Sequence, residues 1–170
     1  LDNGKPAVEL SFRHETNILS PDGTAYYICG HIDRLVRLDY NVYFLDRKTT
    51  KQTISPATFE KFSPDNQMSL YDFSGNVIWK EGVKGGILDA AQVAVGFSRF
   101  QRGFLRRTKG QREEWYQDTA YWLNQAGECA VNGYWPMNDK SCGNYGGCPF
   151  RPVCSKGTET RDAWLRGMTV

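Results

Sequence analysis

The stretch GHIDRLVRLDYNVYFLDRKTT, residues 30–50, predicts two β-strands joined by a tight turn at residues 39–41. Asp33 lies late in the first strand, whereas Asp46 and Lys48 lie at the end of the second. Because side chains alternate between the two faces of a strand, Asp46 and Lys48 point to the same side. If the hairpin brings Asp33 onto that face, two carboxylates and one ammonium group converge. Carboxylates in such a position are natural ligands for Mg²⁺, which prefers oxygen donors.

Alternating apolar residues and turn signals place the other elements of the chain. The predicted strands cover residues 6–15, 24–38, 41–48 and 88–98, the last of which continues in extended form through 99–107 until Lys109-Gly110 breaks it. The predicted helices cover residues 65–79 and 111–130, with a helical tail over 158–167 and an irregular loop over 49–63. This order predicts a mixed α/β fold in a single domain over residues 1–170, whose sheet begins as an antiparallel meander.

The overall charge gives little indication of a partner. A net charge of +2 over 170 residues does not mark a nucleic-acid binder, so any basic surface must come from clustering. A basic run with interleaved Phe100 and Phe104 suits a groove that follows a phosphate backbone, although a solvated surface is the alternative interpretation. The run consists of Arg99, Arg102, Arg106, Arg107 and Lys109. No apolar run approaches the length of a membrane span, so a membrane partner is not expected.

The five cysteines are unevenly distributed along the chain. An odd number without a secretion signal argues against a disulfide scaffold. Cys142, Cys148 and Cys154 crowd into a cysteine-rich loop over residues 139–157, and thiolates at short spacing suit Zn²⁺ or an iron–sulfur cluster. Either group requires a fourth ligand, and three unliganded thiols are the alternative. The remaining cysteines and three tryptophans are expected in the core, namely Cys29, Cys129, Trp115, Trp122 and Trp135.

Three short motifs follow one another on a predicted strand, a second strand and a helix. They are Gly30-x-x-Asp33-Arg34, Asp46-Arg47-Lys48-Thr49 and Gln67-x-x-x-Tyr71. Together they resemble the PD-(D/E)XK nuclease superfamily, in particular its RecB-like branch, over roughly residues 7–155. The segment Cys148-Pro-Phe-Arg-x-x-Cys154 resembles the C-terminal cysteine motif of AddB-type and CRISPR-associated adaptation nucleases and of their phage relatives. The resemblance implies a restriction-endonuclease-like core, in which helices flank a mixed central sheet.

The resemblance also implies a role for each motif residue. Asp33 and Asp46 would bind Mg²⁺ or Mn²⁺, with the backbone carbonyl of Arg47 as a further ligand and Glu9 as an additional candidate. Lys48 would position or activate the attacking water and steady the phosphate. The remaining two motif residues, Gln67 and Tyr71, would line the site and touch the DNA backbone. For the cysteine loop the resemblance implies a [4Fe-4S] cluster or Zn²⁺, with the fourth ligand upstream of Leu1.

The implied function is a metal-dependent DNA nuclease, more specifically an exonuclease in recombination, repair or phage replication. Such an enzyme would act in the cytoplasm of a prokaryote or a phage-infected cell, with a helicase or recombination protein as a candidate partner. The alternatives are a non-catalytic DNA-binding subunit with the same fold, a structure- or sequence-specific endonuclease, and a zinc-ribbon binding module. The complete set of Asp33, Asp46 and Lys48 argues against the non-catalytic subunit.

Overall fold

The structure, a computed structural model, describes residue 4 and residues 6–168. It divides into two compact units, Leu1–Glu128 and Cys129–Val170. The first unit contains the whole sheet and all of the predicted catalytic residues. The second unit contains the three clustered cysteines.

A five-stranded mixed sheet forms the framework of the first unit. Its strands are β1 Val8–Leu19, β2 Ala25–Leu38, β3 Asn41–Thr50, β4 Gly86–Ala94 and β5 Phe97–Leu105. The strands lie in the order β1-β2-β3-β4-β5, with β3 and β4 parallel and the other neighbours antiparallel. The predicted mixed α/β fold, which begins as an antiparallel meander and is flanked by helices, is therefore confirmed.

Helices occupy the connections between the strands and the C-terminal part of the chain. They are α1 Pro56–Glu60, α2 Asn66–Ile78, α3 Lys109–Asn132, α4 Arg151–Cys154 and α5 Thr158–Met168. Two 3₁₀ turns lie in the cysteine-rich loop, at Asp139–Ser141 and Asn144–Gly146. Of the helices in the described ranges, none combines the length and the apolar character needed to cross a membrane.

The turn between β2 and β3 sets the register of the strands that carry the motif residues. Asp39 and Tyr40 both have positive φ angles, 47° and 66°. Two consecutive residues with positive φ are what a two-residue type I′ hairpin turn requires. Asn41 supports the turn because its side-chain amide donates a hydrogen bond of 2.9 Å to the carbonyl oxygen of Asp39. The tight turn predicted at these residues is present.

The chain reverses between β4 and β5, where the sequence analysis predicted one extended segment. That prediction is wrong because a turn at Val95 and Gly96 separates two antiparallel strands. Gly96 has a φ of 86°, a backbone angle that glycine adopts readily. The extended form ends before Lys109-Gly110, as predicted, but this pair belongs to α3, which begins at Lys109 rather than at residue 111.

The prediction of an irregular loop over residues 49–63 is wrong in part, because it contains the short helix α1. Pro56 begins this helix, a position at which the missing N–H and the fixed φ of proline favour a helix start. The backbone N–H of Ser55 donates to Oγ1 of Thr58 over 3.0 Å, which caps the first turn. A Ser-Pro pair followed by a threonine was the available sequence signal.

The core lies on both sides of β3. Phe44 is only 1% exposed and packs between the sheet and α2, where the ring of Tyr71 meets it edge-on with 5.8 Å between centroids. Tyr43, Leu45 and Ile87 form a smaller buried cluster on the opposite face of the sheet. Because successive residues of β3 are buried on alternate faces, β3 is a central strand covered on both sides.

Several residues expected in the core lie elsewhere. Trp122 is 69% exposed and Trp135 is 62% exposed, and Cys29 is exposed on β2. Trp115 does pack against the main core, through a ring contact of 5.5 Å with Phe73 of α2. Trp115 lies near the N-terminal end of α3, where the helix packs on the core cluster, whereas Trp122 lies two turns further along the helix and outside that cluster.

A buried ion pair joins α2 to the start of α3. Nη1 of Arg112 lies 3.0 Å from Oδ2 of Asp72, whose side chain is 2% exposed, and also donates to the carbonyl oxygen of Arg107 over 3.0 Å. Burial raises the pKa of Asp72, against the lowering effect of Arg112. The guanidinium group of Arg112 therefore supplies most of the positive charge that offsets the burial of the Asp72 carboxylate.

Replacing Arg112 with Met is expected to lower the free energy of unfolding at pH 7 by about 3–5 kcal/mol, because a buried carboxylate loses its cation. The loss should be smaller at pH 5, since the pKa of Asp72 is raised in the folded state and protonation then removes the unpaired charge. Urea unfolding at both pH values measures the effect. Lys109→Met is the matched control, because Lys109 is exposed and forms a surface ion pair of 3.5 Å with exposed Glu113. Equal losses at the two pH values would contradict the assignment.

Candidate active site

The end of β3 places a carboxylate and an ammonium group against each other. Phe44, Asp46 and Lys48 are alternate residues and share the face that α2 covers. Asp46 is 2% exposed, and its Oδ2 lies 2.9 Å from Nζ of Lys48. Phe44 and Asp46 are thus both buried, and Lys48, with 30% of its side chain exposed, is the residue of this face that reaches the surface.

Helix α2 continues this arrangement through a chain of hydrogen bonds. Nζ of Lys48 donates to Oε1 of Gln67 over 2.8 Å, and Nε2 of Gln67 donates to the hydroxyl of Tyr71 over 3.0 Å. Gln67 and Tyr71 lie one helical turn apart, so they share a face of α2. Asp65 caps this helix by accepting from the backbone N–H of Met68 over 2.9 Å. The predicted Asp46, Lys48, Gln67 and Tyr71 therefore form one connected set.

Strand register brings Asp33 to the same place. Arg34 is paired with Leu45, and one further step along the two antiparallel strands sets Asp33 beside Asp46. Burial is the main cause that raises the pKa of Asp46, and the nearby carboxylates of Asp33 and Asp65 raise it further, whereas Lys48 lowers it. The site thus concentrates negative charge around a carboxylate that is nearly excluded from water.

This carboxylate is suited to bind a cation. Apart from its ion pair with Lys48, the buried Oδ2 of Asp46 accepts no hydrogen bond from the described residues. A buried carboxylate oxygen next to a second carboxylate fits Mg²⁺, which is commonly held by one or two carboxylates and several waters. Nowhere in the described ranges do three His, Cys, Asp or Glu side chains form a group able to hold a metal by themselves.

Glu9 and His31 flank this pair on the first two strands. Glu9 lies on β1 between Val8, which pairs with Arg34, and Leu10, which pairs with Ile32, so it stands opposite Asp33 in the register. It is exposed and has a φ of 50°, which is uncommon for a residue other than glycine. Nδ1 of His31 lies 2.9 Å from Oγ of Ser11, a contact that occupies the ring nitrogen.

The short helix α1 and the turn after it contribute two aromatic residues that were not predicted from the sequence. Phe59 packs directly over Gly103 of β5, on the face of the sheet that carries Asp46. The ring of Phe62 lies 5.9 Å from Nζ of Lys48. A side chain at residue 103 would collide with Phe59, so the glycine allows α1 to lie close to the sheet.

The basic residues of the predicted DNA-binding run do not all point the same way. In the sheet register Arg99 shares a row with Gln92 and Thr50 on the Asp46 face, whereas Arg102 points to the opposite face and pairs with Asp89 at 3.0 Å. Arg107 donates to the carbonyl oxygen of Phe62 over 2.8 Å and thereby holds the connection before α2. The other two cations, Arg106 and Lys109, are exposed.

The clustered cysteines lie on the turns of the second unit. Cys142 and Cys148 are half-buried and Cys154 is exposed, and all three are free thiols. The backbone N–H of Cys148 donates to the carbonyl oxygen of Cys142 over 3.0 Å, which closes the loop between them. Within the part of the chain that the structure describes, they form no metal-binding group.

Comparison with known proteins identifies the family. The family model of the PD-(D/E)XK nuclease superfamily matches residues 5–155. Among solved structures, the chain is similar to one titled "Crystal structure of SSO0001", with 17% identity and a TM-score of 0.48. This similarity covers 87% of the present chain and 59% of the other, so the chain spans little more than half of that protein. No curated protein matches the sequence significantly.

The family match extends over nearly the whole chain and includes every strand of the sheet. The five-stranded mixed sheet with its antiparallel start is consistent with the restriction-endonuclease-like core that the motifs imply. The chain belongs to the PD-(D/E)XK nuclease superfamily.

Proposed function

We propose that the chain is a metal-dependent DNA nuclease of the RecB-like branch and that it acts as an exonuclease. One observation carries this proposal. The buried carboxylate of Asp46 is connected through Lys48 to Gln67 and Tyr71, and the sheet register sets Asp33 beside it. Hydrolysis of a phosphodiester requires charge neutralisation on the phosphate and an activated water, and these residue types can supply both with a divalent cation.

Asp33, Asp46 and the backbone carbonyl of Arg47 would hold Mg²⁺ or Mn²⁺, with Glu9 as an additional candidate ligand. A divalent cation bound there would neutralise the phosphate charge and lower the pKa of the attacking water. The surroundings of Asp46 support this assignment, because burial and the nearby carboxylates of Asp33 and Asp65 raise its pKa in spite of the ion pair with Lys48, and a further cation would offset that negative charge.

Lys48 would stabilise the negative charge that develops on the phosphate. Its ammonium group has three N–H donors, of which one faces Asp46 and one is bound to Gln67. The third has no hydrogen-bond acceptor among the described residues, so it is available for a phosphate oxygen or the attacking water. Because two donors are already fixed, the third is held in a defined direction before the substrate arrives.

Gln67 and Tyr71 would orient Lys48 and contact the DNA backbone. Burial is the main cause that raises the pKa of Tyr71, with Asp46 and Asp33 adding to it, so the phenol stays protonated at neutral pH. The hydroxyl accepts a hydrogen bond from Gln67 and keeps its own proton for donation. It is therefore suited to contact an anionic oxygen.

Cys142, Cys148 and Cys154 would bind Zn²⁺ or a [4Fe-4S] cluster together with a fourth ligand. Their confinement to one short loop supports this assignment, because such a loop has little core of its own. Iron, sulfide and zinc analysis of the purified protein distinguishes the two groups. A protein that contains neither metal after expression with both supplied would leave the cysteines as unliganded thiols.

DNA would be the substrate, with Arg99, Arg102, Arg106, Arg107 and Lys109 as candidate backbone contacts. The exposed positions of Arg99 and Arg106 suit that role best, because Arg102 and Arg107 already have partners within the fold. A helicase or recombination protein is the candidate partner, and the cytoplasm of a prokaryote or a phage-infected cell is the candidate location.

The decisive test compares linear and closed circular DNA as substrates. Linear single- and double-stranded DNA and a closed circle are incubated with Mg²⁺, Mn²⁺ or EDTA, for the parent protein and for Asp46→Asn. We expect metal-dependent loss of linear DNA, an intact circle, and no cleavage by the variant. Cleavage of the circle would indicate an endonuclease. DNA binding without cleavage by the parent would indicate a non-catalytic subunit and would overturn the proposal.

A further inference from the structure

A cavity of about 670 Å³ lies next to the candidate active site, between α2, α3 and β2. Its volume is within the usual range of small-molecule sites. Gln67 and Tyr71 line it, so the cavity and the catalytic set share two side chains. A substrate whose phosphate contacts Lys48 would therefore have its neighbouring atoms at the mouth of this cavity.

Two tryptophans of α3 form one wall of the cavity. Trp115 and Trp122 are seven residues apart, which puts them on one side of the helix about two turns from each other. Trp115 is anchored against Phe73, whereas Trp122 is 69% exposed and meets the ring of Tyr121 edge-on, with 5.2 Å between ring centroids. The indole of Trp122 thus presents a free aromatic face beside the site.

The charges around the cavity disfavour a phosphate inside it. No lysine or arginine of the described chain lines it, and Asp118 contributes a carboxylate. Its other polar side chains include that of Asn66, whose amide group can donate and accept hydrogen bonds with a neutral heterocycle. An aromatic wall, neutral polar groups and one negative charge favour a nucleobase over the sugar–phosphate backbone.

We propose that this cavity binds an unpaired base of single-stranded DNA, which stacks on Trp122 next to the phosphate held at Lys48. The proposal rests on the proposed nuclease function and names the form of substrate that the site takes. A base within a duplex has its faces stacked and its edge paired, so it enters only after unstacking. The cavity would therefore make the protein select single strands and frayed or overhanging ends over blunt duplex DNA.

The test is a binding measurement that does not require cleavage. A single-stranded oligonucleotide with 2-aminopurine is titrated in EDTA, because the fluorescence of this base falls when it stacks on an aromatic ring. We expect quenching with the parent protein, binding roughly tenfold weaker and without quenching for Trp122→Ala, and recovery of both in Trp122→Phe. Tyr40→Ala is the matched control, since Tyr40 is a 94% exposed aromatic residue at the β2–β3 turn.

Cleavage assays in Mg²⁺ separate this proposal from the proposed function. Trp122→Ala should raise KM for single-stranded DNA about tenfold and leave kcat little changed. Quenching that depends on Trp122 without cleavage by the parent would support the base site and overturn the nuclease. Cleavage with equal KM in parent and Trp122→Ala, or a parent that binds no single strand, would overturn the base site.

Discussion

Replacing Asp46 with Asn is expected to abolish metal-dependent cleavage while making the metal-free protein more stable. The substitution keeps the shape of the side chain but removes a charged oxygen from the candidate metal site. Metal-assisted charge stabilisation contributes several kcal/mol to such reactions. At about 1.36 kcal/mol per factor of ten, its loss corresponds to a rate reduction of roughly a thousandfold or more.

The gain in stability follows from the burial of the carboxylate. Burial raises the pKa of Asp46, so the folded state binds a proton more tightly than the unfolded state does. The free energy of unfolding of the parent therefore falls as the pH rises from the ordinary pKa of 3.8 through the raised one. Asp46→Asn has no such group and should be more stable than the parent at pH 7 in EDTA. The difference should close as the pH falls below 3.8.

Thermal melts with and without Mg²⁺ complete this experiment. A cation that binds only the folded state raises the melting temperature of the parent, and the rise should be lost in Asp46→Asn. Asp39→Asn is the matched control, because Asp39 is an exposed carboxylate in the β2–β3 turn with a φ of 47° that asparagine also tolerates. Unchanged cleavage, or an equal response to Mg²⁺ in parent and variant, would remove Asp46 from the site.

The sequence was most informative where a local pattern and the tertiary contacts agree. The alternation along β3 correctly predicted that Asp46 and Lys48 share a face, because strand geometry alone determines this. The spacing of Gln67 and Tyr71 likewise predicted a common helix face. The distances of 2.8 Å and 3.0 Å that join them to Lys48 depend on how α2 packs on the sheet, which no local pattern specifies.

The sequence was misleading where one residue reverses the chain or where burial depends on distant elements. The run around Gly96 alternates like a single strand, and only the backbone angle of that glycine makes it a hairpin. Trp122 is a large aromatic residue of the type expected in a core, yet it lies outside the core cluster and is 69% exposed. The same exposure makes this indole available for a ligand.

The position of Asp33 was predictable from the sequence only in part. The strand pattern correctly placed Asp33 in β2, but its approach to Asp46 depends on the register of the β2–β3 hairpin. That register follows from the two-residue turn, in which Asp39 and Tyr40 both have positive φ. The sequence offered no Asn-Gly or Asp-Gly pair there, so the turn type could be predicted only as tight.

Lys48→Met is expected to reduce cleavage by about a hundredfold to a thousandfold while metal binding is retained. The methionine keeps much of the length of the side chain but removes the donor that would face the phosphate. It also leaves the buried Asp46 without its 2.9 Å ion pair, so a divalent cation becomes the remaining compensation for that charge. Added Mg²⁺ should therefore stabilise Lys48→Met at least as much as the parent, in contrast to Asp46→Asn.

The two variants together separate metal binding from charge stabilisation at the phosphate. Lys51→Met is the matched control, because Lys51 is an exposed lysine three residues further along, and its loss should leave the rate within about twofold of the parent. If Lys48→Met loses its response to Mg²⁺ together with its activity, the lysine organises the metal site rather than the phosphate. If it cleaves as fast as the parent, the ion pair with Asp46 is structural and the catalytic set must exclude Lys48.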